Sequence, residues 1–208
     1  MARKNEYSAN LTGAWFLFYE IKQVVVLMNE GIDDKEIRKK VIEENLFQHK
    51  TKSSLLRALP SVLRRAKLLE EDLRNLIIED TLSNAKLINL YAIMSDDLLF
   101  AEFMKDVVKE KYASNNLMIE KKDINSFFTH KAEQNEKVAS FSTGTINKLR
   151  QVYLKILIEA GVLKDIKSGE LNRIYFDPLL KELLKKNNGE DFINIFQWII
   201  VRWWHGKY

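Results

Sequence analysis

The sequence predicts an all-α protein: a globular helical bundle followed by a winged-helix-like segment with a short β-hairpin. Only 7 Gly and 2 Pro occur among the 208 residues, and both residue types disfavour helix interiors. Apolar residues make up 46% of the chain and charged residues 30%, which is typical of folded domains. Apolar side chains also recur at helical spacing along most of the chain.

The first 113 residues predict about six helices and no strand. Gly31 ends the first helix as a C-cap glycine, and Asp33 or Asp34 caps the second. Pro60 is expected to bend or divide the third helix, because proline removes a backbone donor from the helix interior. The predicted helices cover residues 14–30, 33–47, 53–69, 72–80, 83–94 and 98–112. Residues 1–113 therefore form a predicted N-terminal helical domain.

A different pattern begins after the polar run Ser114–Asn116, which is the best candidate for a domain boundary. Ser142 or Thr143 is placed to cap a long helix, and Pro178 suits the first position of a later one. The predicted elements are helices over 122–136 and 143–160 with a turn over 137–141 between them, a hairpin around 167–169, and helices from residue 178 and over 190–204. Residues 114–208 form the predicted C-terminal domain.

The order helix, turn, helix, hairpin between Lys122 and Phe176 is typical of a winged helix, whose second helix enters the major groove of duplex DNA. Short polar side chains at the start of that helix suit base edges, and cations suit phosphates. The predicted DNA contacts are Ser142, Thr143, Asn147, Lys148, Gln151, Lys167 and Arg173. The alternative is a protein-binding winged helix, since any exposed helix carries Lys and Gln.

Positive charge is concentrated in one part of the N-terminal half. The whole chain has a net charge of +4, yet Lys35 to Lys67 holds ten Lys and Arg against three Glu, a local charge of +7. Such a segment attracts a polyanion, and its two helices form a second helix–turn–helix candidate. The predicted DNA contacts here are Lys39, Lys40, Lys50, Lys52, Arg57, Arg64 and Lys67. The alternative is a solvated face whose cations only keep the protein soluble.

The last residues hold an unusual aromatic cluster that includes Trp198, Trp203 and Trp204. Aromatic side chains at helical spacing usually pack, so a core or domain-interface role is favoured. If the cluster is exposed, it is a surface for a protein partner.

No pattern of catalytic or metal-binding residues emerges, and we expect no enzyme activity, no cofactor and no metal. His49, His130 and His205 lack the spacing of metal ligands, and the adjacent Asp96 and Asp97 are explained as a helix cap. The absence of Cys excludes disulfides and thiolate chemistry. No apolar run approaches the roughly 20 residues that span a membrane, and the N-terminus lacks a signal-peptide core. We therefore expect a soluble, cytoplasmic protein.

Short matches spread over nearly the full length carry a family resemblance. They are Tyr7–Ala9 with Leu11–Thr12, Glu30–Gly31 with Glu36–Ile37, Glu44–Phe47, Leu99–Phe100 with Glu102–Met104, Phe127–Phe128, Ser142, Thr145 and Leu149, and Glu159–Leu163. In this order they resemble the BrxA family, a small component of the BREX bacteriophage-exclusion systems.

The resemblance implies a helical accessory protein of antiviral defence that has no catalytic role. Its helical body is similar to NusB-type RNA-binding proteins, and DNA binding is associated with the family. It would act beside other BREX proteins: a DNA methyltransferase, a large ATPase and a phosphatase-like component. Two functions follow as hypotheses. The first is an accessory subunit that binds double-stranded DNA mainly through phosphates, and the second is a protein–protein scaffold whose nucleic-acid contact is incidental.

Overall fold

Short polar side chains and glycines set the helix ends. In the computed structural model, which describes residues 6–197, the side chains of Asp33, Ser142 and Asp177 each accept a hydrogen bond from a backbone N–H in the first turn. Gly31 and Gly161 follow helix ends with φ of 79° and 74°, a left-handed conformation that glycine adopts without a side-chain clash. The predicted caps at Asp33, Ser142 and Gly31 are thereby confirmed.

Helices make up the regular structure of residues 6–197, which confirms the all-α class. After a 3₁₀ turn at Asn10–Thr12 come α1 (Phe18–Asn29), α2 (Asp34–Glu43), α3 (Lys52–Lys67), α4 (Glu71–Glu79), α5 (Leu82–Asp96), α6 (Leu98–Phe103), a π-helical turn (Met104–Val108), α7 (Lys109–Ala113), α8 (Lys121–Gln134), α9 (Glu136–Ala139), α10 (Thr143–Glu159), α11 (Pro178–Lys186) and α12 (Glu190–Ile195).

The helix α5 lies at the centre of the N-terminal half. Nine of its fifteen residues are buried, as expected of a helix that is apolar on most sides. It packs against α3 and α4, and α1 packs against the same two helices and also touches α5. The basic helix α2 lies against α3, so its outer side remains open to solvent.

Two predicted features differ from the structure. The third helix is not divided, because α3 runs through Pro60. Pro60 is exposed, and so is Leu56 one turn earlier, so water can satisfy the carbonyl that proline leaves without a donor. The turn predicted over 137–141 contains the short helix α9 instead.

The helix predicted over 98–112 contains an unpredicted π-helical turn between α6 and α7. A π-helical turn is wider than an α-helical one. Here it accompanies the burial of two adjacent pairs of side chains: Phe103 with Met104, and Val107 with Val108.

Side chains from both sides of the predicted boundary at residue 114 pack into one hydrophobic cluster. The ring centroids of Phe103 and Tyr153 lie 5.1 Å apart, and the Lys131 ammonium lies 2.8 Å from the Glu102 carboxylate. The division into two domains at this boundary stays a prediction.

The aromatic end of the chain is described only up to Gln197. Phe192 and Phe196 are buried and lie 5.4 Å apart between ring centroids. Trp198, Trp203 and Trp204, on which the predicted aromatic cluster depends, lie outside the described residues.

Candidate nucleic-acid interface

The helix α10 presents a continuous polar stripe to solvent. Gly144, Asn147, Lys148, Gln151 and Lys155 share one side of the helix at intervals of three and four residues, and all five are exposed. The opposite side enters the core through Leu149, Val152, Tyr153, Ile156 and Leu157. The stripe contains two lysines and no Asp or Glu, so it is a net positive surface.

Ser142 and Thr143, both predicted contacts, lie at the start of α10 and are exposed. The Ser142 hydroxyl accepts a hydrogen bond from the Thr145 N–H at 3.1 Å. Ser142 therefore fixes where the helix begins, and its oxygen is already engaged in the helix cap. Thr143 is the first helical residue.

Three short extended segments pair beside α10. Leu163 forms an antiparallel bridge with Leu171, and Met118 forms one with Glu170. The segment around Leu171 therefore lies between residues 117–119 and 162–164. These are isolated bridges, and no strand is assigned among residues 6–197. The region predicted as a β-hairpin thus contains the pairing without a regular ladder, and we name it the paired segment, residues 162–172.

Gly169 allows the middle of the paired segment to approach its neighbour. Its φ is 69°, and a Cβ atom there would lie 2.4 Å from the Ile119 carbonyl oxygen, so only glycine fits. The predicted contact Lys167 is exposed in the turn just before it. Arg173, at the other end, is also exposed and donates a hydrogen bond to Asn115 at 3.2 Å.

Five of the seven predicted cations in the N-terminal half lie at the surface of α2, the following loop and the start of α3. Lys39, Lys50, Lys52 and Arg57 are exposed, and Lys40 is partly buried. These positions are open to a polyanion, as the charge pattern predicts.

The other two predicted cations are held by carboxylates. Arg64 donates to both oxygens of Asp96, with Nη2 2.9 Å from Oδ2, and Lys67 pairs with Asp34. The Arg64 side chain is 34% exposed, so a phosphate would compete with a bidentate carboxylate that is already in place. The structure therefore gives Arg64 a structural contact that the sequence reasoning did not foresee.

Arg65, next along the helix, is fully buried and ties the N-terminal segment to α3. Its guanidinium donates to the carbonyls of Ala14 at 2.5 Å and Trp15 at 2.8 Å, and its Nε lies 3.5 Å from Asp96. Burial lowers the pKa of Arg65 to about 10, while the Asp96 charge opposes the shift. The group is therefore still a cation at neutral pH, and Asp96 is its carboxylate partner.

Of the two adjacent carboxylates predicted to cap a helix, Asp97 does so, whereas Asp96 pairs with Arg64 and Arg65. Asp97 accepts a hydrogen bond from the Phe100 N–H at 2.9 Å at the start of α6, and the Ser8 hydroxyl lies 3.4 Å from its other oxygen. The residue is only 6% exposed. Burial raises the pKa of the Asp97 carboxyl to about 6, although the Phe100 hydrogen bond opposes this shift.

The N-terminal segment joins the two predicted DNA surfaces. The Lys155 ammonium of α10 lies 5.7 Å from the centre of the Trp15 ring. Arg57 of α3 lies along Gly13, where a Cβ atom would be 3.1 Å from the Arg57 Cδ. A groove of about 420 Å³ is lined both by Arg57 and by Glu159 at the end of α10.

The basic start of α3 and the end of α10 therefore border the same groove, and Lys155 of the stripe contacts Trp15, which also lines it. Sequence reasoning treated the two surfaces separately and did not single out Trp15 or Lys155. These positions are far apart in the chain, and no local sequence pattern shows that they meet. Only the folded structure shows that Trp15 and Lys155 are in contact.

Within residues 6–197, no group of three or more His, Asp or Glu side chains is arranged to hold a metal ion. His49 is paired with Glu20 at 2.9 Å and contacts the Ser54 hydroxyl at 3.1 Å. The same part of the chain contains no helix with the length and apolar character of a membrane span.

Fold and surface together define a class: an all-helical protein with a net positive stripe of exposed side chains on one helix and a small paired segment beside it. A model of the BrxA protein family matches residues 5–188 of the chain. The chain belongs to the BrxA family, which confirms the resemblance carried by the short sequence matches.

Named relatives agree with this assignment. The chain is 41% identical over 180 residues to the BREX protein BrxA of Bacillus cereus (strain H3081.97), covering 86% of this chain and 88% of the relative. It is 20% identical over 188 residues to the BREX protein BrxA of Escherichia coli O9:H4 (strain HS), covering 90% and 88%. The crystal structure of an uncharacterized protein from Magnetospirillum magneticum superposes with a TM-score of 0.76 at 21% identity, over 92% of this chain and 98% of that one. That likeness shows the shared fold.

Proposed function

We propose that this protein is a non-catalytic DNA-binding subunit of BREX phage defence that contacts duplex DNA mainly through phosphates. The observation that carries the proposal is the exposed stripe of α10, which holds Lys148 and Lys155 and lacks any acidic side chain. Cations on such a surface displace the counterions of DNA, and this displacement supplies most of non-specific affinity.

The arrangement around α10 suits a winged helix. The helices α8, α9 and α10 precede the paired segment, and α10 buries one side while it presents the other. In this arrangement α10 enters the major groove, and Lys167 and Arg173 contact phosphates to one side. In this proposal the exposed cations of α2 and of the start of α3, Arg57 among them, extend the contact along the backbone. The family resemblance also implies a nucleic-acid-binding role for the helical body, and in this proposal α1 to α7 take that role.

Fluorescence anisotropy with a labelled duplex tests the proposal. The variant Lys148→Glu reverses a charge in the centre of the stripe, and we expect it to weaken binding about tenfold or more. Lys185→Glu is the matched control, since Lys185 is an exposed cation on α11 and the substitution changes the net charge equally. We expect it to alter affinity less than about twofold. Equal effects of the two variants, or no binding by the wild type, would contradict the proposal.

A second candidate function is a scaffold for other BREX proteins, and one observation favours it. Leu82 and Tyr175 are 61% and 73% exposed, and both line a groove of about 380 Å³. Exposed apolar side chains that line one groove favour a protein-binding surface. Co-purification with the methyltransferase, the ATPase and the phosphatase-like component separates the candidates. If the protein is a scaffold, Tyr175→Asp should lose a protein partner and Lys148→Glu should retain it. If the protein is a DNA-binding subunit, Lys148→Glu should lose duplex binding in the anisotropy assay and Tyr175→Asp should retain it.

A further inference from the structure

Two carboxamide side chains lie one helical turn apart in the exposed stripe of α10. Asn147 and Gln151 are separated by four residues and are both exposed. A carboxamide places a donor and an acceptor side by side. The major-groove edge of adenine, with its N6 amino donor and N7 acceptor, is the complement of that pair.

Arg150 holds the first of these amides in place. Its Nη1 donates to the Asn147 Oδ1 at 3.1 Å, and its guanidinium carbon lies 5.8 Å from the centre of the Phe128 ring. A guanidinium can only donate hydrogen bonds, so the Asn147 atom that faces Arg150 must be the amide oxygen. The two N–H groups of the amide therefore remain for another partner. The oxygen retains a second lone pair. A side chain that is already oriented loses less conformational entropy when it binds.

Gly144 clears the space in front of the amides. It occupies the stripe one turn before Asn147 and Lys148, and a Cβ atom there would meet only the Ser142 hydroxyl, at 3.8 Å. The first turn of α10 thus carries no bulk on this side. Base edges can therefore come close to the helix backbone while Lys148 contacts a phosphate.

We propose that Asn147 and Gln151 each bind an adenine edge in the major groove, so that the protein prefers A·T-containing duplexes, with Arg150 as the positioning residue for Asn147. The inference rests on the proposed DNA-binding function and adds base selectivity to the same surface. A good bidentate contact discriminates between bases by on the order of tenfold or more.

Competition anisotropy with two duplexes of equal length, one A·T-rich and one G·C-rich, measures the preference. We expect the A·T-rich duplex to bind about tenfold more tightly. In a third duplex every adenine is replaced by 7-deazaadenine, which keeps base pairing and the minor groove but lacks the N7 acceptor. We expect most of the preference to disappear there, because the amide N–H loses its acceptor. A preference for minor-groove shape would survive this replacement.

Variants assign the preference to the amides. The double variant Asn147→Ala/Gln151→Ala should bring the affinity ratio close to one, because it weakens binding to the A·T-rich duplex more than binding to the G·C-rich one. Both positions are exposed, so the core is not touched. Lys148→Ala should weaken both duplexes equally and leave the ratio unchanged. Arg150→Met keeps an unbranched side chain against Phe128 and should lower the ratio, a readout that a purely structural role would not change.

The outcomes separate the inference from the function on which it rests. Tight binding of both duplexes with equal affinity overturns the adenine assignment and leaves the DNA-binding function standing. A preference that persists in the double variant or with 7-deazaadenine also overturns it. Failure to bind either duplex overturns both.

Discussion

Replacing Asp97 by asparagine changes how the free energy of unfolding depends on pH. In the folded protein burial raises the pKa of this carboxyl to about 6, against 3.8 for the exposed group. The folded state therefore binds the proton more tightly than the unfolded chain. The stabilisation from this group is fully present below the lower pKa and is lost as the pH rises through the higher one. At roughly 1.4 kcal/mol per pH unit, the difference amounts to about 3 kcal/mol.

The amide introduced by Asp97→Asn cannot ionise, yet its oxygen can still accept the Phe100 N–H that the Asp97 carboxylate accepts at 2.9 Å. The cap of α6 is thereby retained. Relative to Asp97→Asn, the wild type should lose about 3 kcal/mol of stability between about pH 4 and pH 7, with most of the change centred near pH 5.

Urea unfolding of both proteins at a series of pH values measures this difference directly. Asp123→Asn provides the contrasting variant. Burial raises the pKa of the Asp123 carboxyl, but the hydrogen bonds from Lys111 and from the Glu120 N–H lower this pKa by more. The net shift of the pKa is therefore downward. Its stabilising effect should be lost as the pH falls. A stability difference between wild type and Asp97→Asn that does not vary with pH would refute the reasoning.

Three further substitutions test the packing of the chain. Gly169→Ala places a Cβ atom 2.4 Å from the Ile119 carbonyl and should lower the unfolding free energy by more than about 1 kcal/mol; an unchanged melting temperature would show that the paired segment does not need this approach. Asp96→Ala leaves the buried Arg65 guanidinium without its carboxylate and should lower the free energy of unfolding in urea by about 3 kcal/mol. A decrease of less than about 1 kcal/mol would contradict a structural role for this pair. Ser142→Ala removes the cap of α10 at a cost of about 1 kcal/mol, and calorimetry showing no change would mean that the cap contributes nothing.

Helices and their ends were predictable because their signals are local. Asp33 and Ser142 lie directly before amphipathic runs, and their side chains bond N–H groups only two or three residues ahead. Gly31 follows the end of α1 for an equally local reason, since glycine readily adopts the positive φ found there. The exposed side of α10 followed from the helical period of about 3.6 residues.

Contacts between distant positions were not predictable in the same way. Arg64 is a predicted DNA contact because it lies in the basic segment Lys35–Lys67, but Asp96, 32 residues further on, occupies its guanidinium. Charge density along the chain cannot show which cations are already paired. The contact between Trp15 and Lys155 was missed for the same reason.

The role of Arg150 was missed although its signal is local. Positions three apart on a helix lie on neighbouring turns, so the spacing of Asn147 and Arg150 is compatible with the observed bond. The sequence alone does not show that Phe128 of α8 lies beneath the guanidinium. The packing of Phe128 from α8 against the guanidinium determines which nearby side chain Arg150 bonds.

The salt dependence of duplex binding tests the central claim most directly. If the protein binds DNA mainly through phosphates, the logarithm of the association constant should fall linearly with the logarithm of salt concentration, by about 0.9 for each phosphate neutralised. We predict a steep fall for the wild type, with a slope smaller by about one in Lys148→Ala and unchanged in Lys185→Ala. Binding that is insensitive to salt, or absent at low salt, would contradict the account.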